Sequence, residues 1–145
     1  MKRFLYIIIG VALLLTSCDK EDSANGNLDG FWQMTEMTST QATSTIVDMR
    51  SSGITWAFQG HILELRDLKT GNQDIIMSFE RNGDMLKVYN PYRVERDSDD
   101  VAITDATFTV PYGISQLSTE FCILELTNSR LVLDNTVMHL VFRKY

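Results

Sequence analysis

From residue 31 onward the apolar residues recur at every second position in short runs, and turn-forming residues interrupt the runs. A period of two marks a strand with one face toward a core and the other toward water. Residues 31–38 (FWQMTEMT) set Trp32 and Met34 against Gln33 and Thr35. Residues 54–59 (ITWAFQ) put Ile54, Trp56 and Phe58 on one face, and Leu63 and Leu65 then alternate with Glu64 and Arg66. A turn at Thr70, Gly71 and Asn72 leads into 74–81 (DIIMSFER). Asn82-Gly83 returns the chain through 85–89, because both residues accept the positive φ of a type I′ hairpin. Three strands close the sequence, at 121–126, at 130–133 after Asn128-Ser129, and at 137–143 after Asp134-Asn135. Residues 106–110 offer another short one before Pro111, and helix has room only at 44–49 and 112–117.

Eight or nine strands joined in order by tight turns predict an all-β fold, an antiparallel up-and-down meander with one or two short helical turns. Closing it into a barrel of about eight strands removes the exposed edges. A barrel of that size is filled by its own side chains or holds one small ligand. Met34, Trp56, Phe58, Met77, Phe79 and Met138 are the candidate lining of such a cavity. The same set also serves as a plain core, and both readings stand. The Ser/Thr-rich connection 38–52, with Ile46, Val47 and Met49 inside it, is long for a connection, and an additional short strand or helix that caps the core is one reading of it. In FCILEL (121–126), Cys122, Leu124 and Leu126 share one face, which predicts Cys122 as a small buried hydrophobe.

The first residues follow another pattern. Lys2 and Arg3 precede an uncharged stretch, 4–15, and then Thr16, Ser17 and Cys18. Charged, oily and small residues in that order make an export signal, and the oily part is shorter than the roughly 20 residues of a membrane span. LTSC (15–18) resembles the lipobox of bacterial lipoproteins. The resemblance implies cleavage before Cys18 and lipid on that residue; with about 0.8 kcal/mol per buried methylene, several acyl chains hold a protein firmly to a bilayer. Asp19, Lys20, Glu21 and Asp22 resemble the acidic export tag of Bacteroides-type lipoproteins, which implies an outer-membrane protein displayed at the cell surface. A simple polar linker is the alternative. Asp22-Ser23-Ala24 is similar to the O-glycosylation signal of the same bacteria and makes Ser23 a candidate. The expected organisation is a signal peptide at 1–17, a lipidated cysteine with a flexible acidic tether at 18–27, and one β-barrel domain at 28–145.

Removing 17 residues leaves 145 − 17 = 128, the size of one domain. Such a chain buries about two thirds of its unfolded surface and folds without staples. Its net charge of −6 becomes −8 without Lys2 and Arg3, since 13 − 2 = 11 basic residues face 19 acidic ones. That balance repels phosphate backbones and argues against a nucleic-acid partner. With Cys18 acylated, Cys122 has no partner for an internal disulfide. His61 and His139 are the two histidines; neither belongs to HExxH or to a set with metal-ligand spacing, so no metal or other cofactor is expected. Asp97, Asp99 and Asp100 lack the glycine and closing glutamate of a calcium loop. No nucleophile elbow or phosphate loop is present, and no enzyme activity is expected.

Gly30-Phe31-Trp32 fits the GxW pattern and resembles the first strand of lipocalins. The C-terminal run 121–144, ending Val-Phe-Arg-Lys, is similar to small lipocalin-like lipoproteins of Bacteroides-type bacteria. The resemblance implies that Gly30 lets the chain turn under the barrel and that Trp32 plugs the closed end. It further implies that Arg143 stacks across the indole, a contact worth about 0.5–2 kcal/mol, and that the long connection 38–52 covers the open mouth as a lid or partner contact. The expected function is a membrane-anchored surface lipoprotein that binds, and does not transform, a small apolar or amphipathic ligand. The alternative is a protein-binding accessory subunit of an outer-membrane complex, with the barrel core filled.

Overall fold

A computed structural model describes residues 24–40 and 44–145. The expectations placed on 1–23, including the signal peptide, the lipidation of Cys18 and the modification of Ser23, lie outside the described residues.

The strands are β1 (Gly30–Ser39), β2 (Ile46–Asp48), β3 (Ile54–Gln59), β4 (Ile62–Asp67), β5 (Ile75–Asn82), β6 (Met85–Arg93), β7 (Val101–Ala102), β8 (Thr119–Leu126), β9 (Arg130–Asp134) and β10 (Met138–Lys144). Neighbours pair antiparallel in chain order, apart from the short β2 and β7. β1 closes on β10 from Trp32 opposite Lys144 to Ser39 opposite Met138. The result is a closed eight-stranded up-and-down barrel of β1, β3, β4, β5, β6, β8, β9 and β10. β2 prolongs the line of β3 along β1, and β7 lies on the outer edge of β6.

Alternation explains the closure. On β3, Ile54, Trp56 and Phe58 are buried, and on β5 Ile75, Met77 and Phe79 are. β6 adds Leu86 and Val88. Each such side chain contributes roughly 1.5–3 kcal/mol on leaving water. A one-residue slip of any strand would turn its whole buried set outward, so this pattern fixes the register. Three bulges bend the strands, at Thr35 of β1, at Leu124 of β8, and where Asn90 and Pro91 of β6 oppose Met77. Asn90 takes φ 52 there, a left-handed conformation that asparagine tolerates.

Five sequence expectations change. Residues 44–49, read as room for a helix, contain the exposed strand β2, because 36–38 of β1 offers free ladder positions beyond the end of β3. Residues 106–110, read as a strand, and 112–117, read as helix, instead hold two 3-10 turns, Ala106–Phe108 and Val110–Tyr112, followed by irregular chain at 113–117. Asp105 starts the first by accepting from the Thr107 amide, and left-handed Gly113 (φ 84) ends the second. Cys122 is half-buried and Leu124 exposed, because Phe121 and Ile123 occupy the inward face of β8. Residues 106–114 close the end where connection 38–52 was expected to lie; among the described apolar residues of that connection, Met49 alone is buried.

Candidate functional site

The first candidate region is the closed end, where the chain enters β1. The 3-10 turn Gly26–Leu28 brings Leu28 fully inside the barrel, and the Trp32 indole donates to the Leu28 carbonyl at 2.7 Å. The cation over this indole belongs to Lys144, whose Nζ lies 4.9 Å from the ring centroid. This corrects the expectation for Arg143. Lys144 is the register partner of Trp32 and shares its face, whereas Arg143 is the partner of Gln33 and donates to the Gln33 side-chain oxygen at 2.7 Å on the outer side. Gly30 makes the crossing possible. Its φ is 119, and a Cβ there would stand 2.8 Å from Lys144 Cε. Lys144 Nζ also donates to the Asn27 carbonyl, so the last strand ties down the entry turn.

The six expected lining residues all face the interior and are buried there: Met34, Trp56, Phe58, Met77, Phe79 and Met138. They pack on one another and on their neighbours. The Trp56 ring lies 5.0 Å from Phe142 and 6.0 Å from both Phe58 and Phe121, and Phe58 meets Phe79 edge-on at 5.1 Å. These are contact separations for aromatic rings.

The second candidate region is the opposite end. Here Trp56 donates to the Tyr112 carbonyl at 3.2 Å. Thr109, fully buried, donates its hydroxyl within the same segment, and Ile114 is fully buried below it. The two tryptophans are direct partners across β1 and β3, yet their N–H groups hold caps at opposite ends of the barrel.

Between this cap and the β4–β5 connection lies a cleft of about 340 Å³. Ile75, Ile103, Phe108 and Pro111 are the apolar part of its lining, and Asp67, Asn72, Gln73, Arg93, Thr107 and Tyr112 bring polar groups. The polar side is knitted together: Glu95 accepts from Arg93 at 2.9 Å and from Gln73 at 2.8 Å. Burial first, then the negative charges of Asp67 and Asp74, push the Tyr112 phenol up to about 12. Burial pushes the Asp67 carboxyl up, but hydrogen bonds from the Thr70 hydroxyl and the Thr70 and Lys69 amides outweigh it and hold the group below its ordinary value. The site therefore combines apolar side chains, a buried phenol and charges of both signs in Asp67 and Arg93, within the size range of small-molecule pockets.

A sequence model of the lipocalin-like domain matches residues 13–145. The chain belongs to the lipocalin-like domain family. Among solved structures, a lipocalin-like protein from Bacteroides uniformis is similar with a TM-score of 0.60 at 20% identity, covering 83% of this chain and 100% of its own. An uncharacterized protein from Bacteroides eggerthii is similar with a TM-score of 0.58 at 17% identity, covering 81% of this chain and 99% of its own. No curated protein matches.

The lipocalin-like barrel brings neither histidine to the mouth cleft. His139 Nδ1 lies 2.7 Å from the Asp134 carboxylate on the outer face, and His61 is exposed in the β3–β4 turn. Among the described residues, no group of three or more histidine, cysteine, aspartate and glutamate side chains is placed to hold a metal ion. Sequence periodicity missed Lys144, Tyr112 and the cleft. The turn signals Asp105, Pro111 and Gly113 marked the cap without showing that it folds over the mouth.

Proposed function

We propose that this lipocalin-like protein is a lipid-anchored binding protein of the outer membrane, tethered through acylated Cys18, exposed at the cell surface, and without catalytic activity. Its ligand is a small apolar or amphipathic molecule, held in the mouth cleft and not in the barrel axis. The observation that carries this reading is the contrast between the two places. Ring-to-ring packing occupies the interior, whereas the cleft beside Tyr112 offers an apolar wall and unlike polar groups within one small volume. Native mass spectrometry of the full chain purified from its own host tests the reading. A retained small molecule that is lost in Phe108→Ala supports it; protein that is repeatedly empty counts against it.

A second reading has its own observation. Among the described residues β2 pairs with β1 alone, and Ile46 and Val47 are 66% and 46% exposed. Such an edge accepts an added strand from another protein. An accessory subunit of an outer-membrane complex, with the barrel filled, would use it. Crosslinking in intact cells separates the readings, since this one requires a single dominant protein partner joined near Ile46.

A further inference from the structure

The outer wall of the barrel carries an apolar row that neither cap uses. Direct register partners run from Phe31 on β1 to Ala57, Glu64, Ile76 and Tyr92, and then to Ala102 on β7. Directly opposed residues share a face, so the row is continuous across the outside of the sheet. Phe31 is 54% exposed, Tyr92 40%, and Ile62, beside the row, 48%. A groove of about 730 Å³ extends from Asp29 and Phe31 to Ile62 and Ile76, and a second of about 310 Å³ carries on from those two isoleucines to Tyr92. Glu64, the carboxylate within the row, is paired with Arg66 at 2.8 Å.

The row begins where the chain enters the domain. Asn25 donates to the Gly60 carbonyl in the β3–β4 turn at 2.9 Å and accepts from Arg81 at 3.2 Å. Ile62 stands two residues beyond Gly60. From Cys18 to Ala24 there are 24 − 18 = 6 residue steps, which reach at most about 20 Å at roughly 3.3–3.6 Å each. A domain held by lipid at Cys18 keeps this entry point, and the wall beside it, within that distance of the bilayer.

We infer that the wall carrying Phe31, Ile62, Ile76 and Tyr92 lies against the lipid surface to which the chain is tethered, with Arg81 at the tether exit facing headgroup phosphate. The inference rests on the tether of the proposed function. Phenylalanine and isoleucine enter the acyl boundary, and tyrosine holds its ring there with the hydroxyl in water. The mouth cleft is then turned to the side and stays open to the medium.

The test uses the full chain, processed in a lipoprotein-competent bacterial host, with Cys122→Ser and one new cysteine at Ile62→Cys or Leu124→Cys. Leu124 is a fair control, being an apolar residue 58% exposed on β8, across the barrel from the β3–β4 wall. Each variant carries an environment-sensitive fluorophore and is reconstituted in vesicles of phosphatidylethanolamine and phosphatidylglycerol containing nitroxide lipid. Because an interfacial group sits about 5–10 Å into the headgroup boundary, the label at 62 is expected to be blue-shifted and quenched about threefold or more over the label at 124. An acylated chain that floats with the vesicles and shows equal quenching at both positions overturns the inference alone. A blue shift at 62 that nitroxide lipid does not quench also overturns it, in favour of a protein or a second copy. A chain whose N-terminal peptide has no acyl mass and which does not float overturns the tether, and the inference with it.

Discussion

The indole N–H of Trp56, rooted in the barrel wall, is bonded to the backbone carbonyl of Tyr112 in the cap at 3.2 Å. Both residues are buried, so neither group has water as an alternative partner. The bond therefore couples the order of the cap to the packing of the core.

Trp56→Phe removes the donor, keeps a ring, and leaves the Tyr112 carbonyl buried and unpaired. A stability loss of about 1–3 kcal/mol is expected from that group, with a further loss for the vacated indole volume. Hydrogen exchange followed by mass spectrometry discriminates a cap effect from a global one. Amides of 109–114 should exchange faster relative to those of β4 and β5; uniform acceleration everywhere would show that the bond does not hold the cap separately.

Gly113 is the second point of attachment. Its φ is 84, and a Cβ there would stand 2.6 Å from Leu140 Cδ2 on β10. Gly113→Ala combines a left-handed alanine, about 1 kcal/mol or more, with overpacking of about 1–3 kcal/mol. Denaturation midpoints of Gly113→Ala, Leu140→Ala and the double variant form the check. The steric part should vanish with Leu140 shortened, so the two losses should add to more than the double variant shows.

At the closed end the prediction separates adjacent residues. Lys144→Met removes the cation over Trp32 and the bond to Asn27, and should lower stability by about 0.5–2 kcal/mol while shifting tryptophan emission. Arg143→Met breaks only the outer bond to Gln33 and should leave the emission unchanged. Emission that responds to Arg143 and not to Lys144 would restore the arrangement expected from the sequence.

The difference between those two residues shows what strand alternation conveys. Phe142 is core, so Arg143 must face outward and Lys144 inward, and the pattern already contained the answer that the family resemblance overrode. β3, β4, β5 and β6 were legible for the same reason: each carries a buried set at period two. β8 was harder, because Phe121 and Ile123 on one face and Cys122 and Leu124 on the other are equally apolar, and alternation cannot choose between them. β2 and β7 owe their pairing to free positions on β1 and β6, which no local signal announces. The mouth cleft was illegible because its wall and its polar side come from three separated segments, brought together only when the barrel closes.

Tyr112 supplies a pH-dependent signature of the cap. Its folded value of about 12 lies above the ordinary 10.0, raised by burial and then by Asp67 and Asp74. Between those values the unfolded chain loses the phenolic proton and the folded one keeps it, so stability is fully present below pH 10 and declines as pH rises toward 12. The slope from one such group is about 1.4 kcal/mol per pH unit. Tyr112→Phe should lack this component, although its backbone carbonyl still accepts from Trp56. Denaturant midpoints of the two proteins should run parallel below pH 9, and that of the Tyr112 protein should fall relative to that of Tyr112→Phe as pH rises from 10 to 12. Tyrosinate absorbance gives an independent reading: one phenol in the native protein should ionise last, and Asp67→Asn, by removing one of those negative charges, should bring its ionisation to lower pH. Parallel midpoints all the way to pH 12 would mean that Tyr112 is open to water, with the cap lifted from the mouth.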